Sequence, residues 1–260
     1  MTTGNRLIII TGGGSGLGYE LARLHLQKSD QVVIVSRDRA KLTKVQATLN
    51  APPQLHIYPL DVTDNEAVRR FAAWVKIRFG GCDILYNNAG SAVFKPFLDM
   101  NLNEIRQTLA VNLEGVLYMT RAFLPMMMER SSGQVVNIAS LAGEVATAKA
   151  AVYAASKAAV IRFSEGLRQE VTADGITVTC VLPGPIDTPF LDRADRSGAY
   201  RDQVGTFLLK PERAARTILR AVEAKRATAA MPLTLSLMSG MYRLLPQGIR
   251  ALISPYLNRK

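Results

Sequence analysis

The chain has 260 residues and a formal net charge of +11. Apolar residues make up 48% of it and charged residues 20%, so collagen, coiled coil and a wholly disordered chain are excluded as descriptions of the whole. The length suits one α/β domain and is short for two. We therefore expect residues 1–260 to form a single domain.

Neither a membrane span nor a secretory signal is predicted. The charge-free stretch 227–242 is broken by Pro232 and Gly240 and falls short of the roughly 20 apolar residues that cross a bilayer. The N-terminal residues lack the apolar core of a signal peptide. Cys82 and Cys180 stand outside any CxxC or histidine-rich spacing, so we expect no metal site. These features favour a cytoplasmic protein.

Short apolar runs alternate with longer helical patterns along the chain. Strands are predicted at 6–10, 31–36, 54–58, 83–86, 134–139, 177–181 and 228–231, and helices at 16–28, 39–49, 64–79, 103–129, 152–171 and 211–226. Such alternation is typical of a parallel sheet with helices on both faces. The predicted fold class is α/β, with one doubly wound sheet of seven parallel strands.

A glycine-rich segment joins the first strand to the first helix. Glycines there remove side chains that would block a pyrophosphate, and the helix N-terminus offers unpaired amides and the positive end of its dipole. The alternative is an ordinary strand-to-helix turn. The segment predicts a Rossmann-like dinucleotide site with contacts from Gly12, Gly14, Ser15, Gly16, Leu17 and Gly18.

Further motifs follow in chain order. They are Asp61 in LDVTD, NNAG at 87–90, Asn112, Ser140 in VVNIAS, Tyr153 and Lys157 in YxxxK, and PGPIDT at 183–188. Together with the TGxxxGxG turn, their order and spacing resemble the short-chain dehydrogenase/reductase family, densely over 6–188 and loosely to 226. The resemblance implies an NAD(P)-dependent oxidoreductase that moves a hydride between nicotinamide and a ketone or secondary alcohol.

Four residues are the expected catalytic set: Asn112, Ser140, Tyr153 and Lys157. Tyr153 and Lys157 are four apart and share a helix face. A cation there, helped by an oxidised nicotinamide, is expected to lower the tyrosine pKa toward the working range. Ser140 follows a strand and is placed to donate a hydrogen bond to a substrate oxygen. By resemblance Asn112 holds a relay water; a local helical hydrogen bond is the alternative.

The resemblance also implies the remaining cofactor contacts. They are Asp61, Val62, Asn88, Ala89, Gly90, Tyr153, Lys157, Pro183, Gly184, Ile186 and Thr188. In family members, the residues at the positions of Asp61 and Val62 contact the adenine. Those at the positions of Asn88 and Gly90, in NNAG, flank the adenosine ribose. Lys157 would orient the other ribose, and Ile186 and Thr188 would anchor the carboxamide.

The end of the second strand indicates which dinucleotide is preferred. NAD-selective folds carry an acidic residue there, which pairs with the ribose 2′-hydroxyl. This chain has Ser36 and Arg37 instead, and a guanidinium can chelate a 2′-phosphate. Asp38 argues the other way, and Arg37 could merely stack on adenine. The sequence favours NADPH/NADP+ over NAD.

Two segments depart from the core motifs. Residues 187–210, with Phe190, Leu191 and Phe207, are expected to be a mobile cover over an apolar or amphipathic, lipid-like ketone. Residues 239–260 form an amphipathic, basic tail. It is expected to pack on its own domain or on a second subunit, with peripheral contact to an anionic membrane as the alternative.

Partners and other functions follow from these features. We expect a small-molecule carbonyl or alcohol substrate and a homodimer or homotetramer. The charge excess lies mostly after residue 192, but no nucleic-acid-binding motif accompanies it, so no nucleic-acid partner is predicted. The alternative functions are a non-catalytic dinucleotide sensor and a membrane-surface reductase of lipid metabolism.

Overall fold

The computed structural model describes residues 6–246 and 248–249. Its strands are β1 Leu7–Thr11, β2 Gln31–Ser36, β3 Leu55–Pro59, β4 Ile84–Asn87, β5 Gly133–Ile138, β6 Ile176–Pro183 and β7 Thr228–Met231. They form one sheet in the order β3-β2-β1-β4-β5-β6-β7, parallel throughout. The predicted fold class is confirmed.

Helices cover both faces of this sheet. They are α1 Gly16–Leu26, α2 Arg39–Thr48, α3 Asn65–Phe79, α4 Leu102–Leu109, α5 Gly115–Met128, α6 Ala151–Val171, α7 Pro189–Ala194, α8 Ala199–Gln203, α9 Pro211–Glu223 and α10 Leu233–Leu244. Helices α1, α2 and α9 bury one face, and α3, α5 and α6 bury the other. Strands buried on both sides are continuous apolar runs, which is why the sequence predicted them well.

The helix predicted over 103–129 is present over residues 102–128, but it is not a regular α-helix throughout. Helix α4 is followed by a π-helical turn, Ala110–Glu114, before α5 begins. A π turn adds a residue to the i→i−4 ladder and rotates the side chains that follow. The apolar pattern continues through the turn, so the sequence shows no boundary there.

The pairing of β1 with β4 in the sheet determines where the site lies. Strand order reverses at this pair, because β2 and β3 lie beyond β1 while β5 lies beyond β4. The Thr11 hydroxyl joins the two strands, accepting hydrogen bonds from the amides of Asn88 and Ala89, each at 2.9 Å, and donating to the Tyr86 carbonyl at 3.2 Å. A crevice opens at such a switch point, outside the carboxyl ends of the strands.

Candidate active site

A cavity of about 1170 Å³ occupies that crevice. Among the predicted site residues, it is lined by Gly12, Gly14, Ser15, Gly16, Leu17, Ser36, Arg37, Asp61, Val62, Asn88, Ala89, Gly90, Ser140, Tyr153, Lys157, Pro183, Gly184, Ile186 and Thr188. Gly18 and Asn112 do not line it.

The glycine-rich turn fits a dinucleotide phosphate. Within the described chain, the Ser15 side chain makes no capping hydrogen bond and the first turn of α1 holds no acidic residue, which leaves helix amides open to an anion. Gly16 has φ +54°, and a Cβ on it would lie 2.9 Å from Thr188 Cγ2. Only glycine permits this approach.

Gly18 packs closely against the glycine-rich turn. A Cβ there would lie 2.5 Å from the Gly12 carbonyl oxygen and 2.7 Å from Asn88 Nδ2. Gly18 therefore lets α1 pack against the turn, as the third glycine of dinucleotide-binding turns does. Asn88 Nδ2 also donates to the Thr11 carbonyl at 2.8 Å, so this residue braces the turn from the cavity wall.

Tyr153 and Ser140 meet at the carboxyl end of β5. Ser140 precedes a 3-10 turn, where its hydroxyl accepts from the Ala142 amide at 3.1 Å and lies 3.4 Å from the Pro183 carbonyl. A side-chain hydrogen bond also joins it to Tyr153. The two hydroxyls thus converge on one point of the cavity, where a substrate oxygen can receive both donors.

The predicted lowering of the Tyr153 pKa applies to the protein with an oxidised nicotinamide bound; in the protein on its own, the pKa is shifted upward. Burial raises it to about 12, against a smaller lowering by the Ser140 hydrogen bond. Lys157 Nζ donates to the Ile138 carbonyl at 2.8 Å and lies 5.8 Å from the Tyr153 ring centre. Burial lowers the Lys157 pKa to about 8. For both groups the largest cause of the shift is desolvation, which reflects neighbours distant in sequence.

Asn112 lies in the π turn behind the catalytic pair and is fully buried. Its Oδ1 accepts from the Ser91 amide at 2.8 Å, and its Nδ2 donates to the Ser91 carbonyl at 2.8 Å and to Ser156 Oγ at 2.9 Å. The predicted local helical bond is absent from these described contacts. Asn112 instead ties the segment after NNAG to α6, one turn from Tyr153, and is a positioning residue.

The end of β2 forms the adenosine end of the cavity. Arg37 is exposed and lies 3.8 Å from an Asp61 carboxylate oxygen. Asp38 caps α2 by accepting from the Lys41 amide at 3.1 Å, and that hydrogen bond lowers the pKa of its carboxyl. Asp38 is thus engaged by the helix and by Lys41 Nζ, 3.4 Å away, but it lines the cavity together with Ser36, Arg37 and Lys41.

Aromatic and apolar side chains line the other end. The Phe94 ring lies 5.8 Å from the Tyr153 ring and 4.5 Å from the Tyr200 ring, and Phe190 lies 6.0 Å from Tyr153. Sequence reasoning missed Phe94 and Tyr200, as well as Leu235, Met238 and Tyr242 of α10. Phe94 stands four residues after NNAG, and this position could have indicated that it lies near the cavity. The sequence around the α10 residues contained no such indication.

The segment 187–210 contains α7 and α8, and hydrogen bonds join its ends. The Asp187 amide donates to the Leu209 carbonyl, and the Leu209 amide donates to the Pro185 carbonyl, both at 2.9 Å. Arg201 pairs with Asp187 and Asp192. The segment therefore leaves and rejoins the body of the protein at one place, beside the cavity.

Helix α10 begins before the tail predicted at 239–260 and packs on the body. Glu144 accepts hydrogen bonds from Ser239 Oγ at 2.5 Å and from Arg243 at 3.0 Å. Residues 247 and 250–260 of that tail lie outside the described residues. No described helix is both long and apolar enough to cross a membrane.

Comparison with known proteins agrees with this geometry. A family model for short chain dehydrogenases matches residues 6–197. An uncharacterised oxidoreductase of Staphylococcus aureus (strain MRSA252) is 36% identical over 184 residues, 71% of this chain and 79% of that protein.

Solved structures share the fold over nearly the whole chain. The closed form of a serine dehydrogenase complexed with NADP+ matches with a TM-score of 0.81 and 29% identity, over 88% of this chain and 95% of its own. A short chain dehydrogenase/reductase from Burkholderia phymatum in complex with NAD matches with a TM-score of 0.85 over 100% and 97% of the two chains. At 21% identity, the second likeness concerns the fold.

Proposed function

The chain belongs to the short-chain dehydrogenase family, and from that membership we propose that it is an NADPH-dependent reductase of apolar or amphipathic ketones, able to oxidise the corresponding secondary alcohols. The observation that supports this most is the convergence of Tyr153 and Ser140 in the cavity that also holds the glycine-rich turn. NADPH bound there supplies the hydride.

Tyr153 is the proton donor and Ser140 holds the substrate oxygen. Because the Tyr153 pKa is about 12, the hydroxyl stays protonated at neutral pH and is ready to give its proton to the oxygen of a ketone as it is reduced. The Ser140 hydroxyl orients that oxygen and stabilises the charge that develops on it. The rings of Phe94 and Phe190 lie against Tyr153 and exclude water from this point.

Lys157 and Asn112 support this pair. Lys157, one helical turn beyond Tyr153, is held by the Ile138 carbonyl and is placed to donate to the nicotinamide ribose. Asn112 acts through its hydrogen bonds to Ser91 and Ser156. These bonds hold α6 in place and so fix the position of Tyr153 in the cavity. The proposed role of Asn112 is therefore to position the tyrosine.

The proposed preference for NADPH rests on charge at the end of β2. Arg37 and Lys41 both reach the cavity where Gly14 approaches Ser36, and a Cβ on Gly14 would lie 3.4 Å from Lys41 Cβ and 3.6 Å from Ser36 Cβ. An exposed guanidinium and ammonium beside a small hydroxyl side chain suit a phosphate dianion. The Asp61 carboxylate faces Arg37, and the Asp38 carboxylate, which also lines the cavity, faces Lys41, so the two acids offset part of this charge.

The proposed substrate class rests on the lining of the cavity beyond Tyr153. Phe94, Phe190 and Tyr200 line it, together with Leu235 and Met238 of α10. The segment 187–210 is proposed to cover bound substrate, since its two ends are joined at one hinge. A homo-oligomer and a cytoplasmic location remain predictions.

The experiment that tests this function is a panel of linear, cyclic and long-chain ketones, followed by the loss of NADPH absorbance. We expect turnover of at least the lipophilic members, faster with NADPH than with NADH. A matched control is Tyr153→Phe on the same panel. An enzyme that binds NADPH and reduces no ketone, nor oxidises any secondary alcohol, would be a dinucleotide-binding sensor instead.

A further inference from the structure

Two arginines at the substrate end of the cavity have no role in the reaction described above. Arg193, in α7, and Arg196, just after it, both line the cavity and are exposed. Among the residues that the structure describes, neither forms an ion pair or a side-chain hydrogen bond. Cationic groups that face a cavity without a partner are available to an anionic ligand.

The acidic groups nearby are already engaged. Asp192 pairs with Arg201 at 2.8 Å, and Asp195 accepts from the Tyr200 amide at 2.8 Å and from Ser197. Glu104 pairs with Lys95 at 2.6 Å, and the charge of Arg196 contributes to the lowered pKa of its carboxyl. Among the described residues, the two guanidinium groups therefore lack a hydrogen-bonded carboxylate, and Arg196 keeps a longer-range attraction to Glu104.

The backbone places these arginines close to the reaction centre. The Phe94 amide donates to the carbonyl of Ala194 at 2.8 Å, and the Phe94 ring contacts Tyr153 edge-on. Arg193 directly precedes Ala194, and Arg196 lies two residues after it. A substrate whose ketone reaches Tyr153 along the aromatic wall therefore extends past the residues that carry the two charges.

We infer that the physiological substrate is an oxo acid: an apolar body with a ketone at one point and a carboxylate that Arg193 and Arg196 bind. This inference rests on the proposed function and adds the anionic group to the substrate. Guanidinium groups bind carboxylates through paired hydrogen bonds, which fix orientation as well as charge. The arginines would then also set which carbon of the chain is presented to Tyr153.

The test compares oxo acids of increasing chain length with their methyl esters at saturating NADPH. We expect a range of substrate chain lengths over which kcat/KM for the acid exceeds kcat/KM for its ester by about tenfold or more. In Arg193→Gln/Arg196→Gln, that ratio should fall by about tenfold or more, to a value near one, as expected for the loss of charged hydrogen bonds. Arg216→Gln, an exposed arginine of α9 that does not line the cavity, should keep the parent ratio.

The remaining outcomes distinguish the oxo-acid inference from the proposed ketone reductase function. Equal rates for acids and esters at every length would overturn this inference and leave the ketone reductase standing. If neither acids nor any ketone of the wider panel is reduced, the proposed function itself fails. Dissociation constants for NADPH complete the test, because weaker binding in the double variant, with an unchanged acid-to-ester ratio, would assign the arginines to the cofactor.

Discussion

Lys157 donates its hydrogen bond to the Ile138 carbonyl, 2.8 Å away, while its Nζ lies 5.8 Å from the centre of the Tyr153 ring. The two side chains share a helix face, yet the lysine is held by the backbone of β5. Burial acts on both in opposite senses, raising the pKa of Tyr153 to about 12 and lowering that of Lys157 to about 8. Both shifts favour the neutral form of each group.

The first prediction concerns pH. Since the Lys157 pKa is lowered to about 8, its ammonium is lost as pH rises through that value, and a donor to the cofactor ribose becomes weaker. The Kd for NADPH, measured by fluorescence, should rise by about tenfold between pH 7 and pH 10. Lys157→Met should bind weakly at every pH, with a flat profile. If the Kd of Lys157→Met still rises near pH 8, the titration of a group other than Lys157 causes the effect.

The second prediction concerns the proton donor. Tyr153→Phe keeps the ring contacts with Phe94 and Phe190 and removes only the hydroxyl. Turnover should fall by about 10² to 10⁴, while the Kd for NADPH stays nearly unchanged. Tyr118→Phe, which loses only a surface hydrogen bond to Glu114, is the matched control. Near-full activity in the first variant would show that another group gives the proton.

The third prediction concerns cofactor choice. Arg37→Ala should weaken NADPH binding by roughly 1–3 kcal/mol, the scale of a charged hydrogen bond, and leave NADH binding almost unaltered. Arg39→Ala removes a neighbouring charge outside the cavity lining and serves as the control. Titration of both cofactors against the three proteins measures the effect. Parent protein that binds NADH as tightly as NADPH would contradict the proposed preference.

The fourth prediction concerns Gly18. Gly18→Ala places a Cβ 2.5 Å from the Gly12 carbonyl oxygen, so the turn must move and both melting temperature and NADPH affinity should fall. Gly166→Ala in α6 meets nothing within 4 Å and should stabilise the fold by about 0.5–1 kcal/mol, because alanine favours the helix. Thermal unfolding of the two variants provides the comparison; equal melting temperatures would refute the packing role.

The fifth prediction concerns α10. A chain that ends at Gly240 loses Arg243, which pairs with Glu144, and Tyr242, which lines the cavity. Its melting temperature should drop and KM for lipophilic ketones should rise. The competing hypothesis is a membrane role, since Met241 and Leu244, which the truncation removes, are exposed.

Sedimentation with anionic vesicles separates these two roles of α10. If truncation leaves the melting temperature, oligomer size and KM unchanged but abolishes salt-sensitive vesicle binding, the helix serves a membrane surface and not the cavity.

The sequence determined the features that depend on near neighbours along the chain. The strands were predictable because a parallel sheet covered on both faces needs unbroken apolar runs, and the glycine-rich turn because side chains are sterically excluded there. The spacing of Tyr153 and Lys157 placed both on one helix face. These are local properties of the backbone, so they can be read without knowing the fold.

The tertiary structure decided what depends on groups far apart in sequence. The π turn at Asn112 fits contacts with Ser91 and Ser156, and the apolar pattern does not distinguish it from α-helix. The pKa values of Tyr153 and Lys157 are set by burial, which distant segments supply. Likewise, only the return of α10 to the cavity brings Met238 and Tyr242 beside a site built from residues far earlier in the chain.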